Sequence, residues 1–88
     1  MKMELQISGQ ITAIDAALDR DWATVDITRE VRPGATRTFS VVVARKALSA
    51  GLGDSVTAEV RGVNHTSKLA DGQLQIDVLF IARSIANH

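Results

Sequence analysis

Residues 22–44 read WATVDITREVRPGATRTFSVVVA, and their period decides the fold. Ala23, Val25 and Ile27 fall on one side, and Trp22, Thr24, Asp26 and Thr28 on the other. Strand side chains alternate between faces, so this is a half-buried strand with its aliphatic residues inward. Phe39, Val41 and Val43 repeat the pattern further along. Between the two runs stands Pro33-Gly34. Proline fixes φ for the second position of a type II turn, and glycine tolerates the positive φ of the third. The stretch is a β-hairpin, and Thr28 to Phe39 form its tip.

Outward from the hairpin the same period recurs. ELQISGQITAI, residues 4–14, alternates with Leu5, Ile7, Ile11 and Ala13 inward. Gly9 interrupts that series, as at a bulge or bend where one strand serves two sheets of a barrel. DAALDRD, residues 15–21, reads as a turn or loop. ARKALSAGLG, residues 44–53, changes period: Ala44, Ala47, Leu48 and Leu52 sit at helical spacing, and Gly51 or Gly53 ends the segment. DSVTAEVRGV resumes alternation with Val56, Ala58 and Val60 inward. NHTSKLADG, residues 64–72, reads as a polar loop closing on the Asp71-Gly72 turn signal. QLQIDVLFIARSI is the last strand, with Leu74, Ile76, Val78 and Phe80 inward. Three strands, a short helix and two more strands describe an all-β fold: a small five-stranded Greek-key OB-fold barrel with one short helix between strands 3 and 4. We take residues 1–88 as a single OB-fold domain.

Composition narrows the function classes. The 88 residues include no cysteine, which excludes a disulfide scaffold, a thiolate metal site and a cysteine nucleophile. No apolar run is long enough for a membrane span or a signal peptide, so a cytoplasmic location with no membrane association is expected. Lys plus Arg and Asp plus Glu are 10 each, without the overall basic excess common in nucleic-acid binders. Contact with phosphate then depends on a local patch.

The candidate patch is the hairpin tip, where Arg29, Arg32 and Arg37 surround the turn. Arginines beside a barrel groove neutralise phosphates without reading sequence. A solvated tip whose arginines pair with Glu30 or Asp26 explains the same residues. Trp22, facing outward, suits base stacking, and equally a barrel cap or a subunit interface. His65 and Lys68 stand in the later loop, where OB-folds often bind ligand; an ordinary mobile loop also accounts for them. For catalysis the sequence offers little: no HExxH, no P-loop and no nucleophile elbow. The acids Asp15, Asp19, Asp21 and Asp26 lack the tight pattern of a hard-cation site. No metal and no cofactor is expected.

GLGDSVTAEVRGV, SKLADGQLQIDVLFIARSI and the opening ISGQITAI resemble bacterial single-stranded DNA-binding proteins and the related primosomal protein PriB. The resemblance implies an OB-fold that binds single-stranded nucleic acid without catalysis. Those families stack bases on several aromatic residues of the second and third strands, whereas here the outer face offers only Trp22. The sequence is also shorter, without their acidic C-terminal tail, which points toward a PriB-like accessory module. GQITAI and VTAEVRG also resemble the molybdate-binding Mop and TOBE modules, which bind oxyanions between subunits. Their N-terminal Ser-Ala-Arg-Asn is absent, and the hairpin from Asn64 to Ile85 departs from them.

The expected function is a non-catalytic module binding single-stranded DNA or RNA weakly through Trp22, Arg29, Arg32, Arg37, His65 and Lys68. The alternatives are a structural or protein-interaction barrel and an oxyanion-binding module. Leu79, Ile81 and Ile85 break strict alternation on the last strand, so a homodimer with these residues in its interface is expected.

Overall fold

The computed structural model describes residues 5–16 and 20–88; the Ala17–Asp19 part of the first loop lies outside the described residues. Five strands follow one another: β1 (Leu5–Asp15), β2 (Trp22–Arg32), β3 (Ala35–Ala44), β4 (Ser55–Ala70) and β5 (Gln73–Asn87). They close into a barrel in the order β1-β2-β3-β5-β4. All pairings are antiparallel except β3 with β5, which is parallel and covers only Val41–Phe80 and Val42–Ile81. This is the all-β OB-fold barrel that the strand pattern leads one to expect.

β1 serves both sides of the barrel. Leu5 to Gln10 pair with β4, while Gln10 to Asp15 pair with β2. Gly9 sits at the crossing. A Cβ there would lie 2.5 Å from the Thr28 carbonyl oxygen and 2.9 Å from Ile27 Cγ2, so only glycine lets the two backbones approach this closely. The bulge itself comes later, between Ile11 and Ala13. It shifts the alternation by one, which turns Ile14 toward the core and leaves Ala13 exposed. Leu5, at 46% exposed, also stays outside.

The core is aliphatic: Ile7, Ile11, Val25, Ile27, Val41, Val43, Val56, Ala58, Val60, Ala82 and Ile85 are buried together. Phe39 and Phe80 meet edge to face at its end, with ring centroids 5.7 Å apart. The strands place these aliphatic residues on their inner faces, and closure buries those faces without leaving long edges.

The expected short helix is reduced to one 3-10 turn, Arg45–Ala47. Its N-terminus carries no side-chain cap and no acid, and Ala44 is extended. Beyond it, Leu48 pairs in a bridge with Ile85, and the Ser49 amide donates to the Ile85 carbonyl at 3.0 Å. Those contacts hold the chain extended where a helix would continue. Ala47, Leu48 and Ala50 still pack on the core as a plug, whereas Leu52 is exposed.

The polar loop expected at residues 64–72 is corrected to strand. Asn64 to Ala70 pair in register with Gln73 to Leu79. Asp71 and Gly72 have φ of 53° and 74°, the pair of positive values a two-residue type I′ hairpin turn requires. That turn lets the ladder run past the polar composition. The hairpin therefore extends as a two-stranded arm beyond the last β3 partner, Phe80. Leu74 and Val78, expected inward, are exposed on this arm because no further strand covers it. The side chain of Ile76 is outside the described set.

Candidate functional site

The β2–β3 hairpin gathers its arginines by a bulge. Arg29 pairs directly with Arg37 and Glu30 with Thr36, and the register then slips so that Arg32 pairs with Ala35. Directly paired residues of a ladder share a face. Ala35 and Arg37 are two apart, so Arg29, Arg32 and Arg37 all lie on one face of the tip, continuous with Ile27 and Phe39. The extra residue, Val31, makes this possible. Glu30 is left on the opposite face. All three arginines are exposed, and none makes an ion pair among the described residues. Pro33 and Gly34 close the turn, with Gly34 at φ 78° as a type II turn requires.

The outer face of β1, β2 and β3 differs in kind. Thr12, Thr28 and Thr38 form a hydroxyl ladder, with Oγ1 atoms 3.0 Å and 2.8 Å apart. Ser40 Oγ donates to Asp26 Oδ1 at 2.9 Å. The remaining charge on this face comes from Glu30 and from Asp15, which pairs with Thr24. The face is polar and weakly acidic, so a phosphate chain gains nothing from lying along it.

At the other end of β2, Trp22 opens onto a groove of about 580 Å³. Its apolar lining includes Val42, Ala44, Leu79 and Ile81, and Asp21, Arg61 and Arg83 add charge. The β3–β5 seam makes the floor, since Val42 pairs with Ile81 there. Trp22 is 42% exposed, and the Arg20 guanidinium carbon lies 5.0 Å from its ring centroid. The Arg45 amide donates to the Asp21 carbonyl at 2.9 Å, and Arg45 Nη1 donates to the Arg20 carbonyl at 3.2 Å. These bonds hold the segment that enters β2. An aromatic ring, a lipophilic floor and flanking guanidinium groups can stack a planar ring and neutralise an attached anion.

The expected site residues do not form one cluster. Arg29, Arg32 and Arg37 come together at the tip. Trp22 is seven residues away along β2, about 23 Å at strand spacing, and on the opposite face. His65 and Lys68 are exposed on the β4–β5 arm and point to opposite faces of it, His65 toward the side of Val63 and Phe80. Arg20, which lies over the Trp22 ring, and Arg61 and Arg83, which line its groove, are cations that the sequence did not single out. Arg61 is the extra residue of a bulge between Val60 and Gly62. Only the long-range closure of β3 on β5 brings it and Arg83 to the groove.

Of the expected interface residues, Leu79 and Ile81 are half-buried and line this groove. Ile85 is corrected: it is fully buried in the core of its own chain, paired with Ala58 on β4, and shows nothing to a partner. A bulge on β5 accounts for this: Arg83 is the extra residue between the Ser84 and Ala82 pairs, and it shifts the alternation between Ala82 and Ile85. Among the described residues, no group of acids and histidines is placed to hold a metal ion. No described helix is long and apolar enough to cross a membrane.

No protein-family model and no curated protein matches the sequence. Solved structures do match. Two crystal structures of Rim1, the mitochondrial single-stranded DNA-binding protein of S. cerevisiae, superpose with TM-scores of 0.73 and 0.74 at 15% and 13% identity, covering 99% of this chain and 95% of theirs. The small single-stranded DNA-binding protein of Streptomyces coelicolor superposes with a TM-score of 0.61 at 18% identity, covering 99% of this chain and 94% of that one. The chain therefore has the barrel fold of these single-stranded DNA-binding proteins.

Proposed function

We propose that this protein is a non-catalytic binder of single-stranded nucleic acid. The observation that carries the reading is the Trp22 groove, where an exposed indole, an apolar floor and Arg61 and Arg83 converge. A base stacks on the indole while the arginines take its phosphates. The arginine face at the β2–β3 tip supplies a second phosphate contact, and a strand spanning both sites must round the barrel rather than follow the acidic outer face. The likeness to single-stranded DNA-binding proteins of the same fold supports the reading. Titrating Trp22 fluorescence with oligothymidylates of increasing length tests it. Quenching that weakens steeply with salt is expected; no signal at low salt with DNA or RNA of any length rejects it.

Self-association is proposed alongside. Leu69, Leu74, Val63 and Val78 are all exposed on the β4–β5 arm, and Leu69 pairs directly with Leu74. An apolar stripe on a two-stranded arm favours contact with a second copy. Leu79 and Ile81 lie on the opposite face of β5 from this stripe, where they line the groove. The weakly acidic threonine face suits a protein partner better than a polyanion.

A further inference from the structure

A carboxylate lies in the proposed nucleic-acid groove. Asp21 lines it beside Trp22, is exposed, and makes no ion pair among the described residues, although Arg61 and Arg83 line the same groove. Binding that used only phosphate would gain nothing from this charge, since a carboxylate repels phosphate. It gains something only from a group that donates hydrogen bonds. We propose that Asp21 reads the edge of the base stacked on Trp22, and that the groove prefers guanine. This rests on the single-strand binding reading above and adds a base preference to it.

The preference follows from donor patterns. An ionised carboxylate only accepts hydrogen bonds, and its two oxygens match two parallel donors. Guanine presents N1–H and the N2 amino group side by side. Cytosine and adenine present one amino group next to a ring-nitrogen acceptor that a carboxylate repels. Thymine presents one N–H between two carbonyls. Only guanine meets both oxygens with donors. The position of Asp21 fits this role. It immediately precedes Trp22, and its backbone carbonyl is held by the Arg45 amide at 2.9 Å. The apolar wall of Val42, Leu79 and Ile81 limits competition from water for the pair.

The test compares three strands of one length by fluorescence anisotropy in lithium buffer, which prevents guanine quadruplexes. One is all thymidine, one carries isolated guanines, and one carries hypoxanthine in their place, which lacks the N2 amino group. The guanine strand is expected to bind about tenfold tighter than the thymidine strand, with hypoxanthine losing most of that gain. Asp21→Asn should reduce the guanine preference to about twofold or less and tighten binding to the thymidine strand, because a repelling charge is removed. A wild-type protein that binds all three strands equally overturns the proposal while leaving single-strand binding intact. So does an Asp21→Asn protein, folded by circular dichroism, that keeps the full preference. Failure to bind any strand rejects the single-strand reading itself, and the guanine preference with it.

Discussion

Arg29 and Arg37 face each other directly across the β2–β3 ladder, with no carboxylate paired to either among the described residues. Like charges directly opposite on a sheet are destabilising, by roughly 0.2–1 kcal/mol. A tip that tolerates this pair has a surface suited to an anion. Arg37→Thr should therefore raise thermal stability slightly while weakening oligonucleotide binding. The slope of log affinity against log salt should flatten by about 0.7, the value for one phosphate contact to a single strand. Calorimetric melts and salt titrations check the two effects separately. Lower stability in the variant would show that the pair is not repulsive in place.

Trp22→Ala should lose about 1–3 kcal/mol of oligonucleotide binding, as expected for one base-stacking contact. Trp22→Phe should recover part of it, since the ring face survives. The salt slope should stay unchanged in both variants, which separates stacking from phosphate contact. Anisotropy titrations at several salt concentrations give all three numbers.

Gly9→Ala should be costly although glycine to alanine usually favours folding. Its Cβ would press on the Thr28 carbonyl oxygen at 2.5 Å, and backbone cannot move aside as a side-chain tip does. We expect a loss of about 1–3 kcal/mol in urea unfolding, the range for overpacking. A neutral result would mean that β1 and β2 separate easily at the crossing.

Ile85 and Leu79 should respond differently to substitution. Ile85→Ala opens a cavity in the barrel core and should cost about 2–5 kcal/mol at any protein concentration. Leu79→Asp should leave the fold standing.

Leu69→Glu with Leu74→Glu should shift sedimentation toward monomer if the arm joins two copies. Identical sedimentation of wild type and variant, with both monomeric at high concentration, would remove self-association.

The local period of the chain carried most of the barrel. Alternation in residues 22–44, with Pro33-Gly34 between, determined the first hairpin, because strand faces repeat every two residues whatever the distant neighbours. Asp71-Gly72 likewise announced the second turn. What lay beyond period and turn chemistry was decided in three dimensions. The bulges at Thr12, Val31, Arg61 and Arg83 shift the alternation, and each depends on how the partner strand is registered rather than on local composition. They turn Ile14 inward, bring Arg32 onto the face of Arg29 and Arg37, and accompany the shift that sends Ile85 to the core. The expected helix gave way to a bridge between Leu48 and Ile85, a tertiary contact overriding a weak local propensity. The groove is the clearest case. Trp22 was legible as an exposed ring with Asp21 beside it in the chain, but Arg61 and Arg83 become its neighbours only because the barrel closes β3 on β5. That parallel contact joins residues roughly forty positions apart, and no pattern within either segment encodes it.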